Sequence, residues 1–310
     1  MKKICVIGES LVEIMADQPG QGFLEPLALT GPYPSGAPAI FASQAARLGQ
    51  PTALISAVGR DDFGTMQIAR LTADGVDTTA IATHPDLPTG TAFVRYRPDG
   101  TRDFVFNIRH SASGATTLNA AAHQVLAQTD HLHVMGTALF SPALLQANLT
   151  AIDTVRARGG TVSFDPNLRK EILDAPGLHD ALTRILTLCD LYLPSGPELT
   201  LLTQAQTEPA ALAELLTLGP RAIILKRGAG GATYHDATQT LHHPGFPLTE
   251  VDPTGAGDCF GAAFVTFWLR GLPPAQGLAL ACAAGALAVT RRGPMEGAGT
   301  LAEVTALARM

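Results

Sequence analysis

Hydrophobic and polar positions along the chain alternate between two textures. Short runs of β-branched and aliphatic residues occur as "KICVIG" at 3–8, "ALISAVG" at 53–59, "HLHVMG" at 131–136, "TVSFD" at 161–165, "LYLP" at 191–194 and "AIILK" at 222–226. Such near-continuous apolarity predicts strands buried on both faces of a parallel sheet. Between the runs lie Ala/Leu-rich segments of helical length, at 37–48, 62–74, 142–157 and 258–270. Strands alternating with helices predict an α/β fold built on a doubly wound sheet. One region departs from this. Residues 89–109, "TGTAFVRYRPDGTRDFVFNIR", alternate apolar and polar about "PDGT", which predicts an antiparallel hairpin. Residues 10–31 read as extended with turn residues. The two segments together predict a small projecting sheet, placed to act as a lid that excludes water from a crevice.

Composition narrows the function. The 310 residues are 46% hydrophobic and 15% charged, which is globular and sufficient for a large core. A formal net charge of −6 argues against nucleic-acid binding and against a basic membrane patch. Four cysteines, at 5, 189, 259 and 282, lie in apolar surroundings without a C-x-x-C pair, so reduced buried thiols and a cytoplasmic location are expected. The apolar N-terminal run is broken by Gly8, Glu9 and Glu13, and reads as a first strand, not a leader. "GLALACAAGALAV" at 277–289 is too short to span a bilayer and predicts a core helix.

Ligands of open α/β sheets bind at the carboxyl ends of strands. Just past the predicted strands stand Gly8 and Glu9, Gly59 with Asp61, Gly136, Asp165 with Asn167 and Arg169, Ser195 with Glu198, and Lys226 with Gly228. The densest cluster is "EVDPTGAGDCFGAAF" at 250–264, where Gly255 and Gly257 sit between Asp252 and Asp258 at the start of a helix. A glycine-rich turn opening a helix offers free N–H groups to an anion. An acid at that place has two readings. It caps the helix, as acids commonly do, or it takes a proton from a group attacking a phosphate held by the turn. His131 and His133 share a strand face but lack a third ligand, so core histidines are expected. His242 and His243 are expected in a surface loop. Arg95 and Arg97 are expected on a solvated strand face.

Over essentially its full length the chain resembles the ribokinase-like (PfkB) carbohydrate kinases. The resemblance rests on "PSGAPAIFASQAARLG", "SAVGRDDFG", "DPNLR" at 165–169, "LKRGAGGATY" at 225–234 and "DPTGAGDCFGAAF". It implies a single ribokinase-like α/β domain over 1–310, with the lid sheet of 10–31 and 89–109 inserted in it. It implies ATP, Mg²⁺ and a monovalent cation such as K⁺ as cofactors. Asp258 would be the catalytic base, and the N–H groups of Gly255, Ala256 and Gly257 the anion hole. Arg169 would approach the transferred phosphoryl group. Lys226, Gly228, Gly230 and Thr254 would lie along the nucleotide. Glu198 would handle the Mg²⁺ hydration shell, and Asp252 would organise the turn and a monovalent cation. Glu13, Gly36, Arg109 and Asp258 would hold the sugar, and Asp165 and Asn167 would shape a strand end.

Ser195 stands where the family's Mg²⁺-side pattern usually has an asparagine. Two further departures bear on the sugar: Ile40 stands where an asparagine is usual, and Glu13 is the nearest acid after the first strand, where an aspartate is usual. The implied substrate is a ketohexose of the fructose or tagatose type, with 2-keto-3-deoxygluconate, a sugar acid, as the alternative. A nucleoside kinase would want aromatics to sandwich a base, and the chain has one Trp and four Tyr. A non-catalytic sugar-binding protein would be marked by loss of Asp258 or the turn glycines, which are intact. A dinucleotide oxidoreductase would need G-x-G-x-x-G after the first strand, which "VIGESLVEI" does not supply. A homodimer through the lid sheet is expected by the same resemblance.

Overall fold

A computed structural model describes residues 1–20, 22–98, 101–167 and 177–309. In chain order the strands are β1 (Ile4–Ile7), β2 (Leu11–Ala16), β3 (Leu29–Ser35), β4 (Thr52–Gly59), β5 (Ile81–His84), β6 (Gly90–Tyr96), β7 (Arg102–Asn107), β8 (His131–Met135), β9 (Thr161–Asp165), β10 (Leu191–Tyr192), β11 (Ala222–Lys226), β12 (Ala232–Asp236) and β13 (Thr240–His243). The helices are α1 (Ala37–Arg47), α2 (Asp62–Ala73), α3 (Ala120–Leu126), α4 (Pro142–Ala157), α5 (Leu178–Leu188), α6 (Glu198–Leu201), α7 (Glu208–Leu218), α8 (Ala256–Leu269), α9 (Pro274–Ala288) and α10 (Leu301–Ala308).

The main sheet has the order β13-β12-β11-β10-β9-β8-β1-β4-β5. It is parallel from β11 to β5, and β12 and β13 add an antiparallel edge. Side chains alternate along each strand, so two layers of helix bury both faces. In β1, Ile4 and Val6 join the core beneath α1, α8 and α9, while Cys5 and Ile7 join the core beneath α4, α5 and α7. That two-sided burial is the physical reason the runs read as continuously apolar. The edge strands β5 and β13 escape a reading by apolarity because one side of each is partly exposed. Strand β12, paired on both sides and buried at four of its five positions, escapes it because Thr233 and His235 interrupt the apolar run. His242 and His243, expected in a loop, lie in edge strand β13.

The second sheet has the order β3-β2-β6-β7, built from the two segments predicted to form it. The β6–β7 register pairs Ala92 with Phe106, Val94 with Phe104 and Tyr96 with Arg102 on one face. Phe93 with Val105 and Arg95 with Asp103 occupy the other. Arg95 and Arg97 both pair with Asp103, which fits the solvated face expected of them.

His131 and His133 are buried and share hydrogen bonds with Thr161 and Ser163. Burial pulls the His131 imidazole down to about 3, so it is a neutral core group. All four cysteines are buried thiols, and burial pushes Cys5 up to about 12. Among the described residues, no helix is long and apolar enough to cross a membrane.

Asp61 ties the two sheets together. Its carboxylate caps α2 by accepting from the Gly64 N–H at 2.8 Å, and it also accepts from the N–H and hydroxyl of Thr89 at 2.8 and 2.6 Å. Partial burial pushes this carboxyl up, but the hydrogen bonds from Thr89 and Gly64 outweigh burial and hold it below its ordinary value. A depressed carboxyl contributes stability above its unfolded value and loses it as pH falls through the folded value. Asp61→Ala is therefore expected to cost about 1–2 kcal/mol at neutral pH. Thermal unfolding at pH 7 and near pH 3 should show the gap to wild type shrinking on acidification.

Candidate active site

The turn before α8 is built around Asp252, which is 1% exposed. Its Oδ1 accepts from the N–H of Thr254 at 3.0 Å, the Thr254 hydroxyl at 2.7 Å and the Tyr96 hydroxyl at 3.0 Å. Its Oδ2 accepts from the Gly293 N–H at 2.9 Å. A side chain that bonds its own backbone two residues on makes an Asx turn, and this turn delivers the chain to Gly255. There φ is +82°, and a Cβ would sit 2.4 Å from the Pro294 carbonyl oxygen. Only glycine meets both conditions. The helix then starts, and the N–H groups of its first turn have no carbonyl four residues back to bond. The Ala256 N–H leans on the Pro253 carbonyl at a long 3.4 Å.

Two cavities open on either side of this turn, of 360 and 290 Å³. Lys226, Pro253 and Gly257 line both. The first is walled by Glu9, Glu13, Gly36, Ile40, Thr137 and Asp258, and the inner face of the small sheet roofs it with Arg102, Phe104 and Phe106. The second lies between the β11–β12 hairpin and α8–α9, with Gly228, Ala229, Phe246, Phe260 and Gly285 among its walls. The start of α8 thus stands in the partition. Its carboxylate faces one chamber and its second residue, Gly257, faces both.

A chain of polar contacts runs under the partition. Lys226 Nζ pairs with Asp165, which is wholly buried. Burial pushes the Asp165 carboxyl up, and the Lys226 ammonium opposes it. Asp165 Oδ1 accepts from the Asn167 N–H at 3.1 Å, and the Asn167 side-chain amide donates to Asp258 Oδ1 at 3.1 Å. Asn167 has φ +34°, the one positive φ outside glycine among the described residues. Strained backbone of this kind clusters at functional sites, and Asn tolerates it better than most residues. Expected only to shape a strand end, Asn167 instead touches the acid at the centre of the site.

The small sheet grips the same turn. Arg102 Nη1 donates to the Thr254 hydroxyl at 2.6 Å, and its cross-strand partner Tyr96 holds Asp252. Burial, reinforced by Asp252, pushes the Tyr96 phenol well up, so it stays a donor. Sequence reasoning passed over both residues. Alternation about "PDGT" already put them on one face of the hairpin, but nothing local showed what that face would meet.

The other expected residues distribute as follows. Glu13 is buried, accepts from the Ser35 hydroxyl at 2.6 Å and lines the first cavity with Glu9, one of the strand-end residues. Gly36, at φ +106°, would place a Cβ 2.5 Å from the Glu9 carbonyl oxygen, so it lets the backbone come close. Arg109 lines the first cavity and makes no ion pair among the described residues. Gly228 lines the second cavity, and Lys226 lines both. Thr254 lines the first cavity and not the second, because Asp252 and Arg102 hold its side chain. Gly230 lines neither; its neighbour Gly231 lines the second. Glu198 sits at the start of α6, accepts from the Ser195 N–H at 2.7 Å and lines neither cavity. Arg169 lies outside the described residues.

The model of the pfkB family carbohydrate kinases matches residues 1–300. The chain belongs to that family. This kinase is 33% identical over 301 residues to a fructokinase of Klebsiella pneumoniae, covering 94% of this chain and 95% of that protein. Among solved structures, it is similar to a provisionally assigned Ribokinase II of Escherichia coli in complex with ATP and Mg²⁺. That likeness has 47% identity, a TM-score of 0.95 and coverage of 100% of this chain and 99% of the other. A Vibrio cholerae fructokinase double mutant, bound to fructose, ADP and potassium ion, is 27% identical with a TM-score of 0.84, covering 99% of this chain and 98% of the other.

Gly255→Ala tests the turn. The added methyl meets the Pro294 carbonyl at a positive φ, at a cost of about 1–3 kcal/mol. Calorimetric unfolding should show a lowered Tm, and turnover should fall further than the lost stability accounts for.

Proposed function

We propose that this kinase transfers the γ-phosphoryl group of ATP to a hydroxyl of a ketohexose of the fructose or tagatose type. One observation carries the reading. The carboxylate of Asp258 and the first-turn N–H groups of α8 stand together in the wall between two cavities. The first cavity takes the sugar, with Glu9, Glu13 and Gly36 along its floor. The second takes the nucleotide, whose terminal phosphate reaches the N–H groups of Gly255, Ala256 and Gly257.

Phosphoryl transfer depends mainly on position and on stabilising charge. The acceptor hydroxyl gives its proton to Asp258 as its oxygen forms the bond to phosphorus, and ADP leaves into the second cavity. Asn167 holds Asp258 Oδ1 and so orients the carboxylate toward the sugar. The first-turn amides and Lys226 meet the charge on the phosphoryl oxygens. Arg169 adds its planar fork of donors to the same group. Mg²⁺ would supply charge to neutralise the phosphate oxygens and takes one or two carboxylates beside phosphate and water; Glu198 would be the acid that holds its water shell. A monovalent cation at Asp252 would share a carboxylate that already accepts four hydrogen bonds. The small sheet serves as the lid, and its outer face, where Val105 is 48% exposed, serves a second copy of the chain. Reduced, buried cysteines suit a cytoplasmic enzyme.

The relatives' fructokinase activity supports a ketohexose. Arg109, unpaired among the described residues at the first cavity, favours a second reading in which the substrate is a sugar acid such as 2-keto-3-deoxygluconate. ADP release should be measured with Mg-ATP and D-fructose, D-tagatose, 2-keto-3-deoxygluconate, ribose and adenosine. Turnover highest with a ketohexose supports the first reading. Turnover highest with the sugar acid supports the second, and silence on every sugar would contradict both.

Two variants test the roles. Asp258→Asn should keep ATP affinity and lower kcat by roughly 10²–10⁴-fold. Near-normal turnover would remove the base assignment. Asn167→Ala should lower kcat about ten-fold with the KM for ATP unchanged, since only the orientation of the base is lost, worth about one hydrogen bond to a charged group.

A further inference from the structure

We infer that Thr137 is a specificity-determining residue whose hydroxyl bonds directly to a hydroxyl of the acceptor sugar. The inference rests on the reading of the first cavity as the sugar chamber. Thr137 follows Gly136 at the carboxyl end of β8 and lines that cavity together with Asp258. It is only 5% exposed, yet its Oγ1 has no hydrogen-bond partner among the described residues. A buried hydroxyl left unsatisfied costs about 1–3 kcal/mol. A core position would gain by carrying valine, which has the same shape without that cost. The hydroxyl is therefore explained by a partner that enters the cavity.

Its position is held. A Cβ on Gly136 would lie 1.8 Å from the Pro166 carbonyl oxygen, so the chain bearing Thr137 packs directly on the strand end bearing Asn167. Asn167 in turn holds Asp258. The hydroxyl and the base are thus set by one packed edge, and a sugar gripped at Thr137 is placed relative to Asp258. The chemistry of the walls agrees. Ile40, in the same cavity, has no polar atom to offer a sugar, and Glu9 and Glu13 accept hydrogen bonds when ionised. Thr137 both donates and accepts, which suits a hydroxyl partner. A site built to bond a substrate hydroxyl rejects analogues that lack it far more strongly than an apolar wall can.

The test is Thr137→Val, with Thr137→Ser as the conservative control. Sugar binding is measured by titration calorimetry without nucleotide, using D-fructose, D-tagatose and 2-keto-3-deoxygluconate, alongside ATP affinity and Tm. The expected result is a roughly ten-fold loss of affinity for the preferred sugar in the valine variant, equivalent to about one hydrogen bond. ATP affinity should be unchanged and Tm equal to or above wild type, and serine should restore sugar affinity. A monodeoxy form of the preferred sugar bound equally by wild type and the valine variant would name the hydroxyl involved. Two results overturn the inference while leaving the sugar chamber intact. One is equal sugar affinity in wild type and the valine variant, which would mean that water serves the hydroxyl. The other is a lowered Tm with loss of sugar and ATP affinity together, which would mean a structural role. A wild type that binds no sugar of the panel would overturn the sugar-chamber reading and this inference with it.

Discussion

The buried carboxylate of Asp252 is the constraint on which the site depends. Four donors converge on it from three parts of the chain: the N–H and hydroxyl of Thr254, the phenol of Tyr96 on the small sheet, and the N–H of Gly293 beyond α9. A charge this deep is tolerable only because its lone pairs are filled. Hydrogen bonds to an ionised group are worth about 1.5–3 kcal/mol each, and removing the carboxylate would leave several donors without partners. The result is a turn with one shape. It forces the positive φ at Gly255, sets where α8 begins, and so aims both the first-turn N–H groups and the side chain of Asp258.

The same contacts join the small sheet to the turn. Tyr96 and Arg102 are opposite each other across β6 and β7, and each reaches a different member of the Asp252–Thr254 pair. The roof of the first cavity and the partition between the cavities are therefore parts of one hydrogen-bonded unit. On the far side, the ends of β8, β9 and β11 supply Thr137, Asn167 and Lys226. A doubly wound sheet places such strand ends along one crevice, where ligands bind. On the proposed reading the partition brings two ligands to one place in fixed orientation, and a large part of the barrier to a two-substrate reaction lies in such placement.

Much of this was legible in the sequence, for reasons visible in particular residues. Ile4 to Ile7 are buried on both faces, so β1 announced itself by continuous apolarity, as did the other central strands. The edge strand holding His242 and His243 did not, because half of it faces solvent. Gly255 and Asp258 were legible because the main demands on them are local, a positive φ and a helix start; the Pro294 carbonyl that also excludes a side chain at Gly255 is not. Tyr96, Arg102 and Thr137 were not, since their roles come from what the fold brings opposite them. Thr254 shows the same limit. Its place in the turn was readable from the motif, but the chamber it faces is set by Arg102, 152 positions away along the chain.

The central claim is that phosphoryl transfer takes place across the partition at the start of α8. The most direct measurement is a crystal structure of this kinase with a non-hydrolysable ATP analogue, Mg²⁺ and the sugar it turns over. The account predicts the terminal phosphate on the N–H groups of Gly255 to Gly257, reached from the second cavity, and a sugar hydroxyl within hydrogen-bond reach of Asp258 in the first. A nucleotide in the first cavity, or a sugar with no hydroxyl near Asp258, would contradict it.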